Sequence, residues 1–156
     1  MSNDIPGAAR LDDARLEAWR AFLRAHATVT ATLERELLEA RNLPLAWYDV
    51  LVQLGSAPDG RLRMQDLARA VLFSRSGLTR LVDRMAAAGL VAREPYPHDR
   101  RGRFAVLTPA GRRLLRDASG VHLRGIAEHF GRPLSDAQAV ALRRALEAVL
   151  AAQSDK

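Results

Sequence analysis

From residue 11 to about residue 41 the chain contains no proline or glycine, and Trp19, Phe22, Leu23, His26, Val29, Thr30, Leu33 and Leu37 recur at steps of three and four. That spacing puts them on one stripe, so the pattern predicts a single long amphipathic helix. Asn42, Leu43 and Pro44 stop it; residues 45–54 read as a second, shorter helix closed by Gly55. Residues 57–60 (Ala-Pro-Asp-Gly) form a turn in which Asp-Gly favours left-handed backbone. After an extended piece at 61–63, a third helix spans 64–71 with Leu67, Ala68 and Val71 on one side, and residues 72–74 turn tightly into a fourth helix over 75–88. There Leu78, Leu81, Val82 and Met85 occupy positions i, i+3, i+4 and i+7, a stripe that faces inward. Ser74 is placed to cap this helix and Gly89 to end it.

Two extended runs follow, 90–96 and 103–107, separated by Pro97, His98, Asp99, Arg100, Arg101 and Gly102, which read as the charged tip of a hairpin. Thr108 before Pro109 is a helix start, the hydroxyl capping and the proline standing where its missing N–H costs nothing. This fifth helix is expected to reach about Phe130. Ser135 and Gln138 have the spacing of a reciprocal capping box, which predicts a sixth helix over 136–152. The expected fold is mainly α with a small β-hairpin wing: a winged helix-turn-helix core flanked by N- and C-terminal helices.

Composition agrees with that class. The 156 residues are 48% hydrophobic but only 5% aromatic, and alanine and leucine recur throughout, which favours helix over sheet. The length suits one globular unit. Cysteine is absent, so disulfides, thiolate metal sites and thiol redox switching are excluded. The four histidines (His26, His98, His122, His129) show no metal-ligand spacing, and no metal or other cofactor is expected. No phosphate-cradling glycine loop, nucleophile elbow or spaced acid pair is present, so the sequence offers no catalytic residues. The first ten residues lack the apolar stretch of a signal peptide, and no apolar run nears the ~20 residues of a membrane span. A cytoplasmic protein without membrane attachment is the expectation.

Charge changes the picture more. The net charge is +6, but between Arg61 and Arg116 thirteen arginines stand against four acids, Asp66, Asp83, Glu94 and Asp99, while the rest of the chain is net acidic. Positive charge gathered in the middle implies that this part faces a polyanion. An arginine-rich composition with an ordinary solvated surface is the competing account. Subtracting the apolar stripe of the fourth helix leaves Arg75, Ser76, Thr79, Arg80, Asp83 and Arg84 outward. Ser76, Thr79, Arg80 and Asp83 share one face, so they would enter a major groove together, Arg80 and Arg75 being the candidates for base contacts. Gln65 and Ser74 join the DNA-contact set. The hairpin tip adds Arg100, Arg101 and Arg103, suited to a narrow, negative minor groove; Asp99 is suited to bracing a neighbouring arginine.

Residues 64–115 closely resemble the MarR family of bacterial regulators. The family's wing pattern D-x-R-x-x-x-x-x-L-T-x-x-G is met by Asp99, Arg101, Leu107, Thr108 and Gly111, and the similarity continues from the first helix to the last. The resemblance implies a homodimer binding pseudo-palindromic double-stranded DNA, with Arg101 in the minor groove and Asp99 bracing it. It also implies a regulator, often a repressor, that releases DNA when a small aromatic or phenolic ligand binds. On this reading residues 1–156 form one unit, with 11–41 and 110–152 as dimerisation helices and 45–107 as the DNA-binding lobe. The dimer has separate support. Trp19, Phe22 and Leu23 near one end, with Val140, Leu142, Leu146, Val149 and Leu150 near the other, offer more apolar surface than a small lobe covers. Packing of the outer helices within one chain is the alternative. For the ligand, His26, Trp47 and Tyr48 are the candidates, though residues of these types are more often simply core. The wing tip departs from the family in having Gly102 where a small polar residue is common.

Overall fold

The computed structural model describes residues 13–71, 75–96 and 99–154. The uninterrupted first segment folds as α1 (Asp13–Arg41), 29 residues long. Only its C-terminal part is buried, through Leu33 and Leu37. Asn42, with φ of 50°, takes the left-handed conformation that lets the chain leave the helix. α2 (Leu45–Ser56) follows, burying Tyr48, Val50, Leu51 and Leu54. The Asp-Gly turn is left-handed as expected, Asp59 at φ 56° and Gly60 at φ 67°, and it delivers the chain into β1 (Arg61–Arg63).

α3 (Met64–Ala70) and α4 (Arg75–Ala87) form the helix-turn-helix. Leu67 of α3 and Leu78, Leu81, Val82 and Met85 of α4 are all buried, so the four-residue stripe of α4 does face inward. Each such aliphatic side chain withdrawn from water contributes roughly 1.5–3 kcal/mol, which seats α4 against α3 and the sheet. Gly89 ends α4 at φ 74°.

The hairpin is β2 (Val91–Tyr96) and β3 (Asp99–Leu107). β1 pairs antiparallel with the far side of β3 (Arg61↔Val106, Arg63↔Phe104), giving a three-stranded sheet in the order β1-β3-β2 rather than a bare hairpin. Strand β3 also starts four residues earlier than the expected 103. The register jumps from Pro95↔Arg103 to Tyr96↔Asp99, so residues 100–102 are taken up as an irregularity within β3 instead of belonging to a six-residue tip. Cross-strand pairing of Tyr96 outweighs the turn preference of Arg-Arg-Gly.

α5 (Pro109–Ile126) begins as the sequence predicts: Thr108 Oγ1 accepts from Gly111 N at 3.0 Å, and it also donates to Gly89 O at 2.7 Å. One hydroxyl therefore joins the end of α4 to the start of α5 and closes the base of the wing. Gly111 is required there, because a Cβ would lie 2.1 Å from the Leu90 carbonyl oxygen. The α-helical part ends at Ile126 and the helix continues through the expected end near Phe130 as a single π-helical turn, Ala127–Gly131, in which His129 Nε2 meets Glu36 Oε1 of α1 at 2.6 Å. α6 (Asp136–Ser154) starts at the reciprocal cap, Gln138 N donating to Ser135 Oγ and Ser135 N to Gln138 Oε1. Among the described elements α1 packs along α5, and α2 against both, whereas α6 has no extended packing partner.

Candidate nucleic-acid interface

With its apolar stripe buried, α4 shows the opposite face to solvent, and Ser76, Thr79, Arg80, Asp83 and Arg84 are all exposed there. Arg80 and Arg84 lie one turn apart and Ser76 one turn before Arg80, so hydroxyl and guanidinium groups share a surface of groove-reading size. Gln65, in the first turn of α3, is exposed as well. The backbone puts Arg75 at the start of α4 and Asp99, Arg100 and Arg101 in β3, but their side chains, and Ser74 as a whole, lie outside the described residues. Arg103 is exposed on β3.

The acid on this face is matched by a base. Asp83 Oδ1 is 3.2 Å from Arg93 Nη2 of β2, and Arg93 also reaches the Thr79 carbonyl oxygen at 3.5 Å. The pairing neutralises the acid of this exposed face and ties the hairpin to the helix; both groups being partly exposed, its stabilisation is at most about 1 kcal/mol. Arg93 was not among the residues expected from sequence. Its signal was present in the alternation of β2, where Val91, Arg93 and Pro95 share the side facing α4.

The ligand candidates separate. Tyr48 is buried, its ring 4.4 Å from that of His122 on α5 and its hydroxyl donating to Ser119 Oγ at 3.5 Å. Trp47 is half-buried against the same core. His26 stands on the exposed part of α1, its ring 6.1 Å from Phe22, about 16 Å along the helix from Leu37, which shares the core with Tyr48. The α2–α5 contact holds groups that sequence reasoning did not assemble. His122 Nδ1 is buried without a hydrogen-bond partner among the described residues. Burial lowers the His122 pKa below the ordinary imidazole range, with Asp49 opposing; burial raises the Asp49 carboxyl, with His122 opposing. An open groove of about 590 Å³ between α1 and α5, lined by Glu36, Val121, Arg124, Glu128 and His129 among others, includes none of His26, Trp47 or Tyr48.

The outer helices leave apolar side chains uncovered: Trp19, Phe22 and Leu23 on α1, Leu123 on α5, Phe130 after it, and Val140, Val149 and Leu150 on α6, the last 67% exposed. Among the described residues no helix is long and apolar enough to cross a membrane.

A model of the MarR family matches residues 41–102, the segment from the end of α1 through the hairpin tip. The transcriptional activatory protein BadR of Rhodopseudomonas palustris is 32% identical over 129 residues, covering 80% of this chain and 71% of that protein. Among solved structures, AbsC, a MarR family transcriptional regulator of Streptomyces coelicolor, superposes with a TM-score of 0.87 at 34% identity, over 96% of this chain and 100% of that one. Sco3205, a MarR family transcriptional regulator of the same organism crystallised in complex with DNA, gives 0.85 at 31% identity, over 92% and 90% of the two chains.

Proposed function

Since the chain belongs to the MarR family of DNA-binding transcriptional regulators, we propose that it acts as a homodimer reading a pseudo-palindromic operator, as a repressor that a small aromatic or phenolic ligand releases. The observation that carries the reading is the division of α4, whose apolar stripe is buried while Ser76, Thr79, Arg80 and Arg84 stand exposed beside an arginine-bearing hairpin. In this reading Arg75 and Arg80 contact base edges, Ser76 and Thr79 make shorter contacts, and Gln65, Ser74 and Arg84 hold the lobe to phosphates. Arg100, Arg101 and Arg103 enter the minor groove, braced by Asp99.

Residues 45–107 would then be the DNA lobe and 11–41 with 110–152 the dimerisation helices of one unit, working in the cytoplasm. The exposed apolar faces of α1 and α6 support the dimer, and two-fold symmetry would set the recognition helices about one DNA turn apart. The effector cleft is assigned to the α2–α5 contact around Trp47 and Tyr48, where an imidazole nitrogen without a hydrogen-bond partner among the described residues stands beside an aromatic ring. His26 would take part only from the outer end of such a cleft.

Selection of bound duplexes from a randomised library tests the central claim. An inverted-repeat motif is expected, blurred at one position of each half-site by Arg80→Ala. A steep salt dependence with no recovered motif would mean a protein that merely coats DNA. The sign of regulation is read by reporter expression from the recovered site with and without the protein: repression is expected, and a fall in expression on removing the protein would make it an activator, as the name of the Rhodopseudomonas relative states for that protein.

A further inference from the structure

The face of the sheet turned away from α4 carries two touching rings with a cation stacked on each. Arg61 Cζ lies 5.2 Å from the centre of the Phe104 ring, Arg63 Cζ lies 4.1 Å from that of Tyr96, and the two rings meet edge to face at 5.3 Å. Arg63 Nη2 also donates to the Tyr96 hydroxyl. Arg63, at one end of the row, leads into the helix-turn-helix as the N-cap of α3, and the ring it covers, Tyr96, is the last residue of β2.

Its position matters because the sheet stops supporting the hairpin there. β1 is three residues long and its pairing with β3 ends at Arg63↔Phe104. Beyond that point the hairpin is a two-stranded ribbon, and its own ladder breaks between Pro95 and Tyr96. A two-stranded ribbon is marginally stable and variable in twist, so backbone pairing does not by itself aim the residues that follow. Asp83 and Arg93 anchor the middle of β2 to α4. Arg63 supplies a second anchor further along the strand, reaching past the end of the third strand to Tyr96.

We infer that Arg63 is a positioning residue for DNA binding: it pins Tyr96 and thereby directs the arginine-bearing start of β3, which pairs with Tyr96, toward the minor groove. The inference rests on the proposed reading of the hairpin as a DNA-binding wing. A guanidinium stacked on a ring and donating to its hydroxyl holds a direction that a flexible ammonium does not, so lysine should not replace it.

A double-mutant cycle on the full-length protein tests this, using a duplex that carries the motif returned by selection. Arg63→Ala is expected to weaken binding by about tenfold, and Arg101→Ala comparably, while the double variant is no weaker than Arg101→Ala alone, because both act through the same end of the hairpin. Tyr96→Phe, which keeps the ring and loses the hydroxyl, should cost about threefold, and Arg63→Lys should recover little. Losses that add would show that Arg63 touches DNA itself, as would full recovery by lysine, and either overturns the inference. Unchanged affinity of both Arg63→Ala and Tyr96→Phe overturns it too, as does a loss that disappears on cooling in step with a lowered melting temperature, which marks a purely structural role. If Arg101→Ala alone has no effect, the wing reading itself fails and the inference goes with it.

Discussion

α4 and α6 carry apolar residues at the same three- and four-residue spacing, yet α4 buries Leu78, Leu81, Val82 and Met85 while α6 leaves Val140, Val149 and Leu150 in solvent. Leu142 and Leu146 of α6 are only half-buried. α4 lies between α3 and β2, whereas no described element packs along α6. An amphipathic pattern states that a face will be covered; it does not state by which chain. The stripe of α4 is satisfied within the fold, and that of α6 is the kind of surplus a second copy would cover.

The most disruptive way to break the comparison is to charge the uncovered helix. Val149→Asp combined with Leu150→Asp should leave each chain folded, since neither residue belongs to the core, but reduce the particle measured by light scattering to the 17.2 kDa of one chain. Operator affinity should fall at least about 100-fold as two linked half-site contacts become one. A species still twice that mass would mean that α6 is not the dimer contact. The matching change on α4 has another signature. Leu78→Ala leaves a cavity in a fully buried site and should cost about 2–5 kcal/mol in denaturant unfolding, with dimer mass unchanged for the fraction that remains folded. Smaller still is Arg80→Ala, at an exposed position of the same helix. It should weaken operator binding by about 1–3 kcal/mol and leave the unfolding midpoint in place. Should Arg80→Ala instead lower stability as Leu78→Ala does, the division of α4 into a packed and a reading face would be wrong.

How far the sequence reveals these faces follows the range of the forces involved. Helix starts and stops were legible because they are local: Thr108 caps α5 across three residues, Ser135 and Gln138 cap each other, and Asp59-Gly60 adopts the left-handed turn that its composition favours. The inward stripe of α4 was legible from its period alone. The hairpin was legible as a hairpin, but its extent was not, since pairing of Asp99 with Tyr96 and of β1 with β3 depends on strands meeting in space. The site divides in the same way. Ser76, Thr79, Arg80 and Arg84 stand out once the apolar stripe is subtracted. Arg93 beside Asp83, Arg63 beside Tyr96, and Ser119 and His122 beside Tyr48 each join residues from separate elements, and no spacing in the chain announces them.

The smallest expected effect lies away from both helices, where α2 meets α5. The ring of His122 rests against buried Tyr48, its Nδ1 has no hydrogen-bond partner among the described residues, and burial holds its pKa below the ordinary value of 6.5. The folded chain therefore resists a proton that the unfolded chain accepts. Stability should fall as pH drops through about 6.5 and level off once the pH passes below the depressed folded value. Asp49 contributes with the opposite sign in a more acidic window: its raised carboxyl pKa means that folding loses stability as pH climbs from 3.8 toward the folded value. His122→Phe keeps a ring against Tyr48 and removes the titration. Melting temperatures measured from pH 7.5 down to 5.5 should therefore decline less steeply for His122→Phe than for the unaltered chain, by a few degrees at most, since the imidazole is only partly withdrawn from water. Parallel curves would show that His122 takes up its proton without cost and that the α2–α5 contact is insensitive to acid in this range.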